Sequence, residues 1–500
     1  MSTVPGTRRR PPSWSSPLRH PLAPVAVFAA ILLLGYGFEL FSFHLTLDEE
    51  LYAAGYLGPS SWVSEGRWSM AALSLLVPSP VVPVVSTALG VVLSGVAWWT
   101  IARRFLLMPA WAAALAAGFA ATVPTVAFIL SFSTIAYGIG VGNLLLVGFV
   151  RGLEATTWRG RAAGALAAAA AIGIYDPFLL AAVGLGLALV LKRPALRSVL
   201  VAGGSLLVAA LVSRVLALLL IAVTGVAASE HVGGRVDLAG ILESPVARVR
   251  AALSNAWATL TLSTDFFGLS SPWLAIAVTV LAAAALVGAL RTGPPARRVL
   301  RVAALAGLAL IPVLAELVAP DGVRLRSMLY LPVIFLVLCW AAGRGIQALP
   351  AARARLVRIV VAVLLVLAIV GSTVISNRLF ASAATTYALD QRVAFLIAVE
   401  RERLEPNQRT TLPVVVGGVH DWAGTELRFR RETLGASFFS RPSDRSVRVV
   451  DFLRSEGQWV QLANPAQTAA GREALEDMPV YPNPGWVDVV DGVLLIKFGD

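Results

Sequence analysis

The stretch LAPVAVFAAILLLGYGFELFSF, residues 22–43, followed at once by HLTLDEE, residues 44–50, governs how the rest of the chain is read. Its first part is apolar for long enough to cross a bilayer, since an α-helix needs about 17 to 25 residues to span roughly 30 Å of hydrocarbon. Its second part ends in three consecutive carboxylates, Asp48, Glu49 and Glu50, so acid chemistry is delivered to one membrane face. The residues before it are basic and rich in Pro and Ser, and the run is too long for a cleaved signal peptide. It reads as a retained first helix.

Comparable runs recur at 80–101, 107–126, 129–150, 162–175, 177–191, 199–226, 271–290, 302–319, 328–343 and 359–376. With the first, they predict about eleven spans. Composition agrees: 57% hydrophobic and 14% charged residues over 500 lie outside the range of soluble domains. The fold class is therefore an all-α polytopic membrane protein, with a small α/β domain at its C-terminus.

Basic residues fall at every second connection. They are Arg8, Arg9, Arg10 and Arg19, then Arg103 and Arg104, Arg151, Arg159 and Arg161, and Lys192, Arg193 and Arg197. Arg291, Arg297, Arg298 and Arg301, then Arg344, Arg353, Arg355 and Arg358, complete the set. The alternate connections hold only Arg67, Arg235, Arg248, Arg250, Arg324 and Arg326. Because positive residues near span ends are retained in the cytoplasm, the N-terminus is expected there and the tail after residue 376 outside. This topology accounts for the net charge of +12 without a nucleic-acid partner. The single cysteine, Cys339, lies in an apolar segment and allows no disulfide within one chain.

Three regions follow: a basic N-terminus at 1–21, a membrane body at 22–376 with external loops at 44–79 and 227–270, and an aqueous domain at 377–500. In that domain Trp486–Val490 and Val493–Phe498 flank Asp491-Gly492, a dipeptide suited to a type I′ hairpin turn. Leu412–Val416 and Val447–Phe452 read as short strands or helix starts, and 382–404 and 467–477 as helices. The sequence carries no internal repeat.

In the first external loop, Thr46 and Glu49 fit a capping box that puts Asp48, Glu49 and Glu50 in the first turn of a short helix. Leu51, Tyr52, Ala54, Tyr56 and Leu57 would give it an apolar face along the membrane surface. These acids are either helix caps or general bases, and spacing alone does not choose between the readings. Glu65-Gly66-Arg67-Trp68 adds a cation that can hold phosphate and an aromatic ring suited to a sugar face. A later turn, Asp321-Gly322-Val323-Arg324-Leu325-Arg326, supplies two more cations. Glu39, Asp176 and Arg214 sit at or near hydrocarbon depth and are expected to pair, with Asp176 a further possible substrate contact. His44, His231 and His420 lack partners at zinc-ligand spacing. Asp48 and Glu49 could hold Mg²⁺ or Mn²⁺ with a donor phosphate, although nothing in the sequence requires a metal.

A long first helix ending in Asp48-Glu49, then Gly66-Arg67-Trp68, many spans and an external tail together resemble the bacterial O-antigen glucosyltransferases of the type II, serotype-converting kind. The closing segment Met478-Pro479-Val480-Tyr481-Pro482-Asn483-Pro484-Gly485, running into the hairpin, adds to the likeness. The resemblance implies a GT-C type glycosyltransferase in the bacterial plasma membrane. It implies transfer of glucose, with inversion, from a polyprenyl-phosphate carrier to a surface glycan on the external face. It also implies that Asp48 or Glu49 is the base and that Arg67, with Arg324 and Arg326 as further candidates, holds the phosphate; Glu50, Trp68 and Asp176 are candidate substrate contacts from their own placement, the acid at 176 standing where the family is expected to carry an amide. Other readings are a mannosyl- or arabinosyl-transferase of the same donor class, and a secondary transporter or lipid flippase. The absence of repeats and the lopsided external mass count against transport.

Overall fold

The computed structural model describes residues 20–55, 58–77, 84–229, 243–261, 271–318, 323–405, 410–422, 435–440 and 445–499. Arg8, Arg9, Arg10 and Arg19, Tyr56 and Leu57, His231 and Arg235, and Asp321 and Gly322 lie outside the described residues.

The chain opens with α1 (Ala23–Phe41), followed by three short helices in the first loop, α2 (Glu50–Ala53), α3 (Pro59–Ser64) and α4 (Trp68–Ser74). The body continues with α5 (Val85–Thr100), whose last turns widen into a π-helix, then α6 (Ala110–Thr122), α7 (Pro124–Leu130), α8 (Ala136–Glu154), α9 (Trp158–Ile174), α10 (Phe178–Lys192) and α11 (Leu196–Thr224). After α12 (Pro245–Thr261) come α13 (Pro272–Arg291), α14 (Pro295–Val318), α15 (Tyr330–Gln347) and α16 (Ala351–Leu404). Each expected apolar run coincides with helix over most of its described residues, but the count of about eleven spans is not confirmed. Among the described residues eight helices are long and apolar enough to cross a membrane, or nine if the α6–α7 pair is one broken span. α10 is apolar but has only 15 residues, and α9 has 17 and opens on Arg159 and Arg161.

Pro124 explains the break. It opens α7 after an extended Val123, where its ring cannot follow a preceding helical turn, and the pair bends by 59°. The expected span at 129–150 is accordingly interrupted at Ser131–Ile135 and helical only from Ala136. All seven residues of α7 are buried, so this bent piece carries the turn 131–135 into the protein interior.

Helix α16 is 54 residues long, about 80 Å at the α-helical rise. From Ser372 to Leu404 it contains neither Gly nor Pro, and Pro406 follows where it stops. The boundary expected at residue 377 therefore falls inside one continuous helix.

That helix carries a four-stranded sheet of order β2-β1-β4-β3, where β1 is Leu412–Gly417, β2 Val460–Leu462, β3 Val487–Val490 and β4 Val493–Lys497. β1 runs parallel to β2 and β4, and β3 pairs antiparallel with β4. The predicted hairpin is present, with positive φ of 51° at Asp491 and 74° at Gly492 as a type I′ turn requires. Helix α17 (Arg445–Ser455) answers the ambiguous run at 447–452, and α18 (Pro465–Glu476) starts with a full capping box from Asn464 and Gln467. The core beneath the sheet joins Val393 and Ile397 of α16 to Val414, Ile496, Val449 and Phe452. Leu45 and Leu47, from the first loop, are buried in that same core.

Candidate active site

Burial of Leu45 and Leu47 fixes the acidic motif against the C-terminal sheet domain, and the three acids then part company. Asp48 has φ +92°, a left-handed conformation that Asp tolerates better than most residues and that a surrounding structure must hold. Its side chain is 33% exposed. Arg326 donates to one carboxylate oxygen at 2.9 Å and Arg448 to the other at 3.0 Å. Arg448, from α17, also pairs with Glu50 at 2.5 Å, bridging the two acids from a position 400 residues away in sequence.

Glu49 is fully buried, and its two oxygens accept four hydrogen bonds. Thr46 donates from its backbone N–H at 3.0 Å and its hydroxyl at 2.8 Å; Ser133 donates from its hydroxyl at 2.8 Å and Thr134 from its N–H at 3.1 Å. Burial raises its carboxyl above the usual range, opposed by these donors. Glu49 thus ties the loop to the turn that the Pro124 bend delivers. The expected capping box is only half formed, because Thr46 donates to Glu49 instead of capping the helix. Only Glu50 lies in the first turn of α2. Tyr52, expected on a membrane-facing surface, is instead buried and stacked on Trp62 with centroids 5.2 Å apart. Burial pushes the Glu50 carboxyl up to about 7 against the pull of Arg448. One turn beyond Arg448, the buried Asp451 has no hydrogen-bond partner among the described residues, and burial pushes its carboxyl up to about 6.

Arg67 lies on the same side. Its guanidinium stands 5.3 Å from the Trp62 ring and 4.9 Å from the Tyr175 ring and pairs with Glu65 at 2.9 Å. The Tyr175 hydroxyl meets the Ser327 hydroxyl at 2.8 Å, which links this cage to the turn carrying Arg326. Arg326 also lies over Phe132, 5.4 Å from the ring centre. Arg324 is exposed at the start of that turn. Trp68 packs its indole on Gly173 and donates to Ser213 at 3.3 Å, so its ring is engaged between α9 and α11. Asp176 is half-buried beside Tyr175.

Among the described residues Glu39 makes no ion pair with Arg214. Glu39 lies 3.8 Å from His44, whose imidazole burial pushes down to about 4 and so keeps neutral. Arg214 is exposed on α11, about 27 Å along the helix from Leu196. No group of three or more His, Cys, Asp or Glu able to hold a metal occurs among the described residues. Asp48 and Glu49 fit a divalent ion poorly, since protein donors occupy the oxygens of both.

Sequence reading missed Arg448 entirely. Its only local signal is the amphipathic run of α17, which says that a helix packs but not where its polar face lands.

A bundle of membrane-spanning helices with a carboxylate–arginine cluster at one end defines a polytopic membrane protein with an enzyme-like polar site. The family model Glucosyl transferase GtrII matches residues 37–389, most of the chain, and the chain belongs to this family of membrane glucosyltransferases. No curated protein matches it. The matched region contains Asp48, Glu49, Arg67 and Arg326; Arg448 lies beyond it.

Proposed function

We propose that this protein transfers glucose from a polyprenyl-phosphate carrier to a surface glycan, such as an O-antigen, on the external face of the bacterial plasma membrane. The fold would be of the GT-C type, with the N-terminus cytoplasmic and the sheet domain external. The observation that carries the reading is the cluster of Asp48, Glu50, Arg326 and Arg448 at the end of the helix bundle opposite the basic turns.

Asp48 is the proposed base. It is 33% exposed, whereas Glu49 is fully buried and out of reach of an acceptor. A base must reach the acceptor hydroxyl, and of the three acids Asp48 is the one open to solvent. As the acceptor oxygen attacks the anomeric carbon, its proton passes to Asp48 and the bond to the carrier phosphate breaks. A single displacement of this kind inverts the anomeric centre. Arg326, Arg324 and Arg67 are the proposed partners of the departing phosphate, since guanidinium matches phosphate with paired donors. Arg448 and Glu50 hold Asp48 in place, and Asp176 borders the same side.

Radiolabelled glucose on synthetic polyprenyl phosphate, offered to cell-envelope glycan with purified protein, tests the reading. Transfer by the wild type and its loss in Asp48→Asn would support it. No transfer from glucose, mannose or arabinose donors by folded wild type would overturn it in favour of transport.

A further inference from the structure

At the opposite end of the bundle the helices enclose a second polar feature that the proposed transfer does not use. The ends of α10, α13 and α15 and the start of α14 surround a cavity of about 60 Å³ lined by Lys192, Thr292, Arg301 and Arg344, with Leu305 and Trp340 among its apolar walls. One water needs about 10–15 Å³ by the same measure, so the space suits a small polyatomic group. The start of α15 at Tyr330 belongs to the acidic end, and Arg344 is fourteen residues further on, about 21 Å along the helix.

Two of the three cations on the cavity wall have no acid partner among the described residues. Lys192 is committed to Glu154 at 2.7 Å. Among the described residues Arg301 donates only to Thr292, at 2.8 Å to its hydroxyl and also to its carbonyl, while Arg297 and Arg344 lie near enough to repel it. No acidic side chain pairs with Arg297, Arg301 or Arg344 among the described residues. Gly288 and Gly345 allow α13 and α15 to touch beside the cavity, where a Cβ on Gly288 would stand 2.6 Å from the Gly345 Cα. Two guanidinium groups without acid partners, Arg301 and Arg344, on the wall of a cavity with apolar lining are stabilised when an anion enters, and a basic pocket between helices at the edge of a bilayer meets lipid headgroups first.

We propose that this cavity binds a phosphate-bearing anion, the headgroup of an acidic phospholipid, through Arg301 and Arg344, with the Thr292 hydroxyl, which donates to the Gly288 carbonyl, holding Arg301 in place. The apolar walls below it receive the start of the acyl chains, and Arg297 adds positive charge near Arg301.

Native mass spectrometry of the full-length protein in neutral detergent tests this, with phosphatidylglycerol, phosphatidylcholine or inorganic phosphate added in separate arms. The expected result is a tightly held phosphatidylglycerol adduct, weakened about 30-fold in Arg301→Gln/Arg344→Gln. The charge-conserving Arg301→Lys/Arg344→Lys should keep most of it, which separates loss of the site from loss of the fold. Arg353→Gln/Arg355→Gln, which removes the same charge from the same end outside the cavity, should leave it intact. If inorganic phosphate displaces the lipid in the wild type and binds through the same arginines, the anion site stands and its ligand comes from solution. Equal loss in both glutamine pairs, an unchanged adduct in Arg301→Gln/Arg344→Gln, or equal retention of phosphatidylcholine would overturn the proposal.

Discussion

Three adjacent acids have three different environments, and each environment predicts a different outcome on substitution. Asp48→Asn preserves shape and the left-handed backbone, which Asn also tolerates, so its effect isolates charge and basicity. Transfer should fall by about 10²- to 10⁴-fold, the usual contribution of a general base, with the protein still eluting as a folded species. Glu49→Gln should behave differently, because it turns one acceptor oxygen into a donor that faces donors. A loss of roughly 1–3 kcal/mol in stability, read as a lower Tm, is expected, with transfer per folded molecule largely kept. For Glu50 the test is pH. Burial raises its carboxyl from 4.5 to about 7, so between those values the folded protein holds a proton that the unfolded chain has released. Its contribution to stability is whole below 4.5 and is lost as pH rises through about 7. Glu50→Gln should flatten that decline in Tm measured from pH 5 to 8; an unchanged slope would remove Glu50 from the cluster's titration.

At the level of elements, the site exists because three pieces with no local relation meet. The Pro124 bend brings the turn 131–135 to Glu49, the 323–327 turn brings Arg326 to Asp48, and α17 brings Arg448 across both Asp48 and Glu50. The bend went unforeseen: the run 107–126 reads as one span across Pro124, although a proline restricts the residue before it. The arginine of the 323–327 turn was legible as a cation, whereas its partner was not. The Arg448–Glu50 pair is nearly enclosed, with side-chain exposures of 14% and 0%, so its two members should be strongly coupled. A double-mutant cycle of Arg448→Gln and Glu50→Gln, followed by denaturation in detergent, should return a coupling of roughly 1–3 kcal/mol. Additive effects would mean that α17 is docked by its apolar contacts alone.

Over the whole molecule, the sheet domain and the membrane body are joined through Leu45 and Leu47 as well as through the long helix α16. Leu47 is 1% exposed, and a carboxylate there would be buried without a partner. Leu47→Asp should therefore open the first loop and the sheet domain to limited proteolysis together, and abolish transfer although Asp48 itself is unchanged. Protection of both segments at the wild-type level would show that α16 suffices to hold them. The sequence by itself determined the membrane character, the helical runs, the terminal hairpin and the acidic loop, because hydropathy, helix periodicity and turn chemistry act over a few consecutive residues. Only the tertiary structure decided which acid is reachable and which is locked away, that Tyr52 and Trp68 turn inward, and that Arg448 completes the cluster. Those outcomes depend on burial and on charges brought together over as many as 400 positions, for which no local pattern in the chain carries a signal.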